Sequence, residues 1–264
     1  MVLIFFQLHI NLSTINGFQK VMVQLSNLLP YKHHDEFILR YEAPILRERI
    51  FHFSAESIAK LKAKANKESN TDKISSFQSL SALVWRSITR ARQLQHDQRT
   101  ICKLAINNRT RMKPSLAKEY FGSLAFAVRT ETTVKELLEN DLGWAAWKIH
   151  LAVANYDDKV VRQLVNEWLQ SPIVPRMDMF EANIVLMGSS PRFVMYENEF
   201  GMGKALAVRS GYANKADGKI TSYPGQGGGS IDLEVCLSPD KMKALETDEE
   251  FMSSTSVFNH LFYL

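Results

Sequence analysis

The stretch Phe77-Gln78-Ser79-Leu80-Ser81-Ala82-Leu83-Val84-Trp85-Arg86 decides how the rest of the chain is read. Phe77, Leu80, Val84, Ile88 and Ala91 recur at steps of three and four, which places them on one face of a helix from about Ser76 to Arg92. Before it, Arg49 to Phe53 alternates like a strand. Ser54 then offers an N-cap for a helix through about Asn66, and Lys67 to Lys73 reads as the polar loop between the two helices. After it, strands are expected at Ile101 to Asn107 and Leu124 to Arg129, joined by the loop Arg109 to Gly122 with its Pro114.

Further on, Val134, Leu137, Leu138, Leu142, Ala145, Ile149 and Val153 make one apolar helical stripe, and another helix runs from about Asp158 to Leu169, ending before Pro172. The last third reads mostly as strand. Short apolar runs at Ile184 to Met187, Phe193 to Tyr196 and Ala205 to Val208 precede Ile231, Leu233, Val235 and Leu237, which alternate with polar or small residues as on a half-buried face. Gly225 to Ser230 lacks the lysine and following helix of a phosphate loop, so it reads as a flexible hairpin connection. Ser238, Pro239 and Asp240 open a final helix by N-cap, N1 proline and acidic first turn. Helices and strands alternate irregularly and without a repeat, which predicts an α+β chain, a mixed α/β two-layer sandwich.

Composition narrows the function classes. With 264 residues, 45% of them apolar, the chain has enough apolar surface to fill a core. The net charge of +4 is scattered rather than gathered in a stripe, which argues against nucleic-acid binding. Cys102 and Cys236 are too few for a disulfide framework and have no metal-ligand spacing around them. They are expected to be small core residues in a reducing compartment, and no metal is expected. The apolar run Val2 to Phe6 has no basic residues before it and is ended by Gln7, His9 and Asn11, too short for a signal or membrane segment. A cytoplasmic protein follows. Residues 1–42 show no sustained period and are expected to be a remnant or linker, with one domain over 43–264.

Four ordered stretches carry a family resemblance. Tyr196-Glu197-Asn198-Glu199-Phe200-Gly201-Met202-Gly203-Lys204 resembles the DFGWG signature of the plant BAHD acyl-CoA-dependent acyltransferases, with Glu199 in place of Asp and Met202 in place of Trp. Ser189-Ser190-Pro191-Arg192-Phe193 precedes it and Ala207-Val208-Arg209-Ser210-Gly211 follows, as in one plant subgroup. Upstream, Phe77 to Arg86 is similar to the helix after the family's domain crossover. Asn108-Arg109-Thr110-Arg111-Met112-Lys113-Pro114, then Tyr120-Phe121-Gly122 with Ser123 in place of Asn, follow the family's Arg-Pro and YFGN stretches.

The resemblance covers about Ala43 to Met252. It implies the second domain of the CoA-dependent acyltransferase (chloramphenicol acetyltransferase-like) fold, with acyl-CoA as cosubstrate, no bound cofactor, and an alcohol or amine acceptor from plant secondary metabolism. In the family the motif acid is structural, which implies that Glu199, within Glu199, Phe200, Gly201, Met202 and Gly203, pairs with Arg109 or Arg111. Ser189, Ser190 and Arg192 would line the acceptor side of the channel, with a plain strand edge as the alternative. Some members of the subgroup use the fold for lyase chemistry. The general base in the family is the histidine of HxxxD, contributed by the first domain.

None of the seven histidines of this sequence stands in that motif. Four residues after His9, His33, His34, His52, His96, His150 and His260 stand Ser13, Phe37, Ile38, Glu56, Thr100, Ala154 and Leu264, so none gives HxxxD. His52 with Glu56 straddles a strand-to-helix junction, which does not reproduce the motif's geometry. His33 and His34 beside Asp35 and Glu36 read as a solvated loop, and His150 as a helix residue. Gly188-Ser189-Ser190-Pro191 is not a GxSxG elbow, and neither cysteine has a histidine close in sequence. No catalytic residue is therefore assigned. The chain is expected to be a truncated, weakly active or inactive acyltransferase, or else a non-catalytic module that associates through an exposed inter-domain face.

Overall fold

The computed structural model describes residues 32–33, 36, 44–117, 124–172, 181, 183–205, 207–211, 215–225 and 227–256. Most of the expected remnant at 1–42 lies outside these residues, as does Tyr120-Phe121-Gly122-Ser123. In chain order the elements are β1 (Arg47–Phe53), α1 (Ala55–Glu68), α2 (Ser76–Arg92), β2 (Arg99–Asn107), β3 (Ala125–Thr133), α3 (Val134–Glu139), α4 (Leu142–Ala154), α5 (Asp158–Gln170), β4 (Ile184–Gly188), β5 (Lys219–Pro224), β6 (Ile231–Leu237), α6 (Pro239–Leu245) and α7 (Glu249–Met252). The six strands form one sheet in the order β1-β6-β5-β4-β2-β3. β2, β4 and β5 run parallel; the remaining pairs are antiparallel.

α2 has the predicted bounds because both ends are fixed locally. Ser75 accepts from Gln78 N while the Gln78 side chain accepts from Ser75 N, a reciprocal cap, and Gln93 ends the helix in the left-handed region. The helix is buried nearly all round, not along one stripe. It packs against α1, α4 and α6 and lies over β2 and β4. Trp85 is fully buried, and its indole N–H donates to Thr100 Oγ1 on β2 at 3.0 Å. Ser54 caps α1 as expected, accepting from Ser57 N.

The sheet has two different faces. Phe51 and Phe53, Leu233 and Val235, Ile220, Val185 and Met187, and Cys102 and Leu104 belong to one core cluster with Trp85, Leu137 and Ile149 of the helices. Phe251 of α7 meets Phe51 and Phe53 edge-on, with ring centroids at 4.9 and 5.7 Å. Side chains alternate along a strand, so the other face carries Glu48 and His52, Asp232, Glu234 and Cys236, Lys219, Thr221 and Tyr223. The crossover from β4 to β5, residues 189–218, reaches this second face through Ser210 and Lys215, which both bond Glu234.

The structure corrects several local expectations. The stripe from Val134 to Val153 is two helices, broken at Asn140, because Asp141 caps the second by accepting from Trp144 N. Phe193 to Tyr196 and the described residues of Ala205 to Val208 are not strands. They lie in the crossover, and β4 and β5 already pair with each other. The strand that was missed is β5, whose Lys-Ile-Thr-Ser-Tyr-Pro has too few apolar residues to stand out. β6 is buried at all seven positions, not half-buried, because it lies between β1 and β5 and its polar face is covered. Ser238 makes no side-chain cap; its hydroxyl donates to Asp240 Oδ1 instead. Gly225 to Ser230 is the expected hairpin connection, closed by Gly225 N to Ser230 O at 3.0 Å. Both cysteines are free and buried.

Candidate functional site

Three parallel strands end at one place. The carboxyl ends of β2 (Asn107), β4 (Gly188) and β5 (Pro224) lead into a cavity of about 670 Å³, in the position where open α/β sheets hold ligands. Its apolar wall comes from Ile58 of α1, Phe77 of α2, Leu104 and Ile106 of β2, Val153 of α4 and Ile231 of β6. Lys62, Ser75, Ser76, Gln78, Asn107, Arg111 and Arg192 supply polar groups.

The first turn of α2 forms one side. Its reciprocal cap satisfies the amides of Ser75 and Gln78, which leaves those of Ser76 and Phe77 as first-turn donors without an intrahelical acceptor. Gln78 Oε1 takes Ser75 N at 2.8 Å and lies 3.3 Å from His150 Nδ1. His150 stacks on Trp147, with centroids 4.9 Å apart and planes at 16°. Burial, with a contribution from Lys73, lowers the His150 pKa from its ordinary value, which favours the neutral ring. Arg111 donates to Val153 O and Tyr156 O, each at 2.9 Å, and so satisfies carbonyls at the end of α4.

Of the residues marked out from sequence, Ser190, Pro191 and Arg192 line this cavity, and Ser189 sits at the turn that brings them there with φ of 63°. The Glu199 motif lies elsewhere. Phe200 and Met202 are 84% and 88% exposed, and among the described residues Glu199 makes no ion pair. Arg111 is committed to the α4 carbonyls, so the structure does not join it to Glu199. No described histidine lines the cavity.

Two polar groups of the second sheet face went unread in the sequence. His52 Nδ1 and Asp232 Oδ1 are 2.6 Å apart across β1 and β6. Glu234, 1% exposed, holds Ser210 and Lys215. Glu48, Glu234 and Cys236 bring donor atoms within 4.8 Å of one another, but the Lys215 ammonium contacts both carboxylates and supplies the countercharge a metal would. The available signal was two carboxylates at alternate positions of an otherwise apolar strand.

A mixed sheet under a helical layer is the fold this chain shares with CoA-dependent acyltransferases of known structure. The structure of the Fusarium sporotrichioides protein TRI101, complexed with coenzyme A and T-2, superposes with a TM-score of 0.70 over 82% of this chain and 55% of that one, at 21% identity. Vinorine synthase gives a TM-score of 0.61 over 83% of this chain and 49% of that one, at 19% identity. The sequence profile of the Transferase family matches residues 20–252, and the chain belongs to that family, among its plant BAHD acyltransferases. The BAHD acyltransferase DCR of Arabidopsis thaliana is 37% identical over 217 residues, 81% of this chain and 45% of the relative. An uncharacterised Arabidopsis acetyltransferase is 36% identical over 215 residues, 80% of this chain and 48% of the relative. Shikimate O-hydroxycinnamoyltransferase of Nicotiana tabacum is 29% identical over 202 residues, 75% and 46% of the two chains. The chain therefore spans about half the length of the relatives it matches. No described helix is long and apolar enough to cross a membrane.

Proposed function

We propose that this chain supplies the acyl-CoA-binding half of an acyltransferase that moves an acyl group from coenzyme A to an alcohol or amine of a plant secondary metabolite. The observation that carries this reading is the cavity at the carboxyl ends of β2, β4 and β5, apolar on one side and bordered by Lys62, Arg111 and Arg192. Apolar residues suit the acyl and pantetheine portions, and the cations suit a nucleotide's phosphates. In the transfer, the acceptor's oxygen or nitrogen bonds to the thioester carbonyl carbon and the C–S bond breaks. The acceptor's proton passes to a base, and the CoA thiolate leaves. The base is the HxxxD histidine that the family resemblance assigns to the other domain, so this chain alone turns over poorly or not at all. General-base assistance is worth ~10²–10⁴-fold. Ser189, Ser190 and Arg192 border the channel where acyl-CoA and acceptor meet, and the protein works in the cytoplasm without a bound cofactor.

Isothermal titration of the chain with coenzyme A tests the reading. Saturable one-to-one binding that Phe77→Ala and Arg192→Ala weaken supports it, and no heat at millimolar coenzyme A overturns it.

A second reading rests on a separate observation. Phe193, Val194, Phe200 and Met202 are 54%, 62%, 84% and 88% exposed within one short segment, as expected of a surface that another chain or domain covers. A defined oligomer in light scattering favours association through this segment; a monomer at all concentrations removes it.

A further inference from the structure

The crossover from β4 to β5 does two things at once. Its outgoing leg places Ser190, Pro191 and Arg192 on the cavity wall, and its returning leg bonds a buried carboxylate in the middle of β6. Glu234 accepts from Ser210 N at 3.3 Å, from the Ser210 hydroxyl, and from Lys215 Nζ. Lys215 Nζ also donates to Ser210 Oγ at 2.8 Å and reaches Glu48 Oε2 on β1 at 2.6 Å. The other bonds described within the crossover near Arg192 are local, such as Arg192 N to Ser190 Oγ at 3.2 Å and Phe193 N to Ser190 O at 3.2 Å. An apolar side chain at position 234 would fill the same space without the cost of burying a charge. The contribution of Glu234 is therefore what it holds.

We propose that Glu234 is a positioning residue for the cavity: through Ser210 and Lys215 it latches the returning leg of the crossover to the sheet and thereby holds Ser190 to Arg192 against the bound ligand. The ligand part of this inference rests on the proposed coenzyme A site; the latch itself does not. Lys215 stands between Glu234 and Glu48, one ammonium bridging the carboxylates of two strands, and Cys236, Lys219 and Tyr223 are the other titratable groups nearby. Glu234→Gln takes the carboxylate from Ser210 and Lys215 and leaves Lys215 on Glu48, whereas Lys215→Met leaves the buried Glu234 carboxylate with Ser210.

The test compares wild type, Glu234→Gln, Lys215→Met and the double variant by hydrogen exchange of the crossover amides, exchange of the α2 and β6 amides, and titration with coenzyme A. In Glu234→Gln the crossover amides are expected to exchange about tenfold faster, which corresponds to ~1.4 kcal/mol, with α2 unchanged and the coenzyme A Kd raised. In the double variant the crossover amides are expected to exchange at least as fast as in Glu234→Gln, because the latch is lost at both ends, and a return to the wild-type rate overturns it. Unchanged crossover exchange, or uniformly faster exchange in α2 and β6, overturns the latch. If Glu234→Gln does not fold, Ser210→Ala takes its place, with the same outcomes on the same amides. Wild type that fails to bind coenzyme A refutes the proposed function, while the exchange measurements still decide the latch.

Discussion

His52 and Asp232 face each other as register partners on β1 and β6, with Nδ1 and Oδ1 2.6 Å apart and the carboxylate 5% exposed. Burial raises the Asp232 carboxyl above its ordinary value, and the hydrogen bond from His52 works against that rise. A group whose folded pKa is raised contributes stability below its unfolded pKa, near 3.8, and loses it as pH rises through the folded value. Taking the imidazole away raises that folded value further. His52→Ala is therefore expected to cost ~1–3 kcal/mol at pH 7 and distinctly less at pH 4, measured by urea unfolding at both pH values. A deficit that is equal at the two would show that His52 acts by packing alone.

Trp85 fills the core below β2 and ends a short polar relay, its N–H on Thr100 Oγ1 and Thr100 Oγ1 2.9 Å from Thr89 Oγ1. Trp85→Ala creates a cavity and is expected to cost ~3–5 kcal/mol. Thr100→Val keeps the volume but leaves the indole N–H and the Thr89 hydroxyl without this partner, and is expected to cost ~1–3 kcal/mol. Denaturant midpoints check both values. A Thr100→Val variant as stable as wild type would remove the relay from the account of the core.

Local chemistry explains what was legible in the sequence. The bounds of α2 follow from Ser75, Gln78 and the stop at Gln93, and those of α5 from the cap Asp157, the first-turn Asp158 and Pro172 after it, all within a few residues. β5 was missed because Thr221 and Ser222 are buried by neighbouring elements that are not visible in a six-residue window. The same holds for Glu234. Whether a carboxylate on a strand faces water or a lysine nineteen residues earlier depends on where the intervening chain returns. The cavity is legible in part: Ser190 and Arg192 came from the resemblance, whereas Lys62, Val153 and Asn107 meet there only through topology.

Arg111 and Glu199 separate two accounts of the motif. Arg111 donates to Val153 O and Tyr156 O, so Arg111→Leu is expected to destabilise by ~1–3 kcal/mol, and lysine, without the forked geometry, should restore only part. Glu199 is exposed and makes no ion pair among the described residues, so Glu199→Gln is expected to shift stability by no more than about 0.5 kcal/mol. Thermal melts of the three variants decide it. A large loss in Glu199→Gln would mean that the motif acid is paired in solution.

Acid sensitivity should run through the junction of α2 and α7. Burial pushes the Asp248 carboxyl up, but the hydrogen bonds and charge of Arg90 together with Phe251 N–H more than offset it, leaving the group below its ordinary value. Arg90 Nε and Nη2 reach Asp248 Oδ2 and Oδ1 at 2.7 and 2.9 Å, and Asp248 caps α7. Glu234 is depressed in the same sense, with burial opposed by Lys215 and Ser210. A carboxylate whose folded pKa is depressed contributes stability above its unfolded pKa and loses it as pH falls through the folded value. Wild-type stability should therefore decline from about pH 5 downwards, and Asp248→Asn should begin lower and decline less over the same range. The difference between the two proteins isolates Asp248, because Glu234 is common to both. Parallel urea-midpoint curves from pH 7 to pH 3 would show that the Arg90 pair carries no pH-linked stability, and convergence towards acid pH would show that it does.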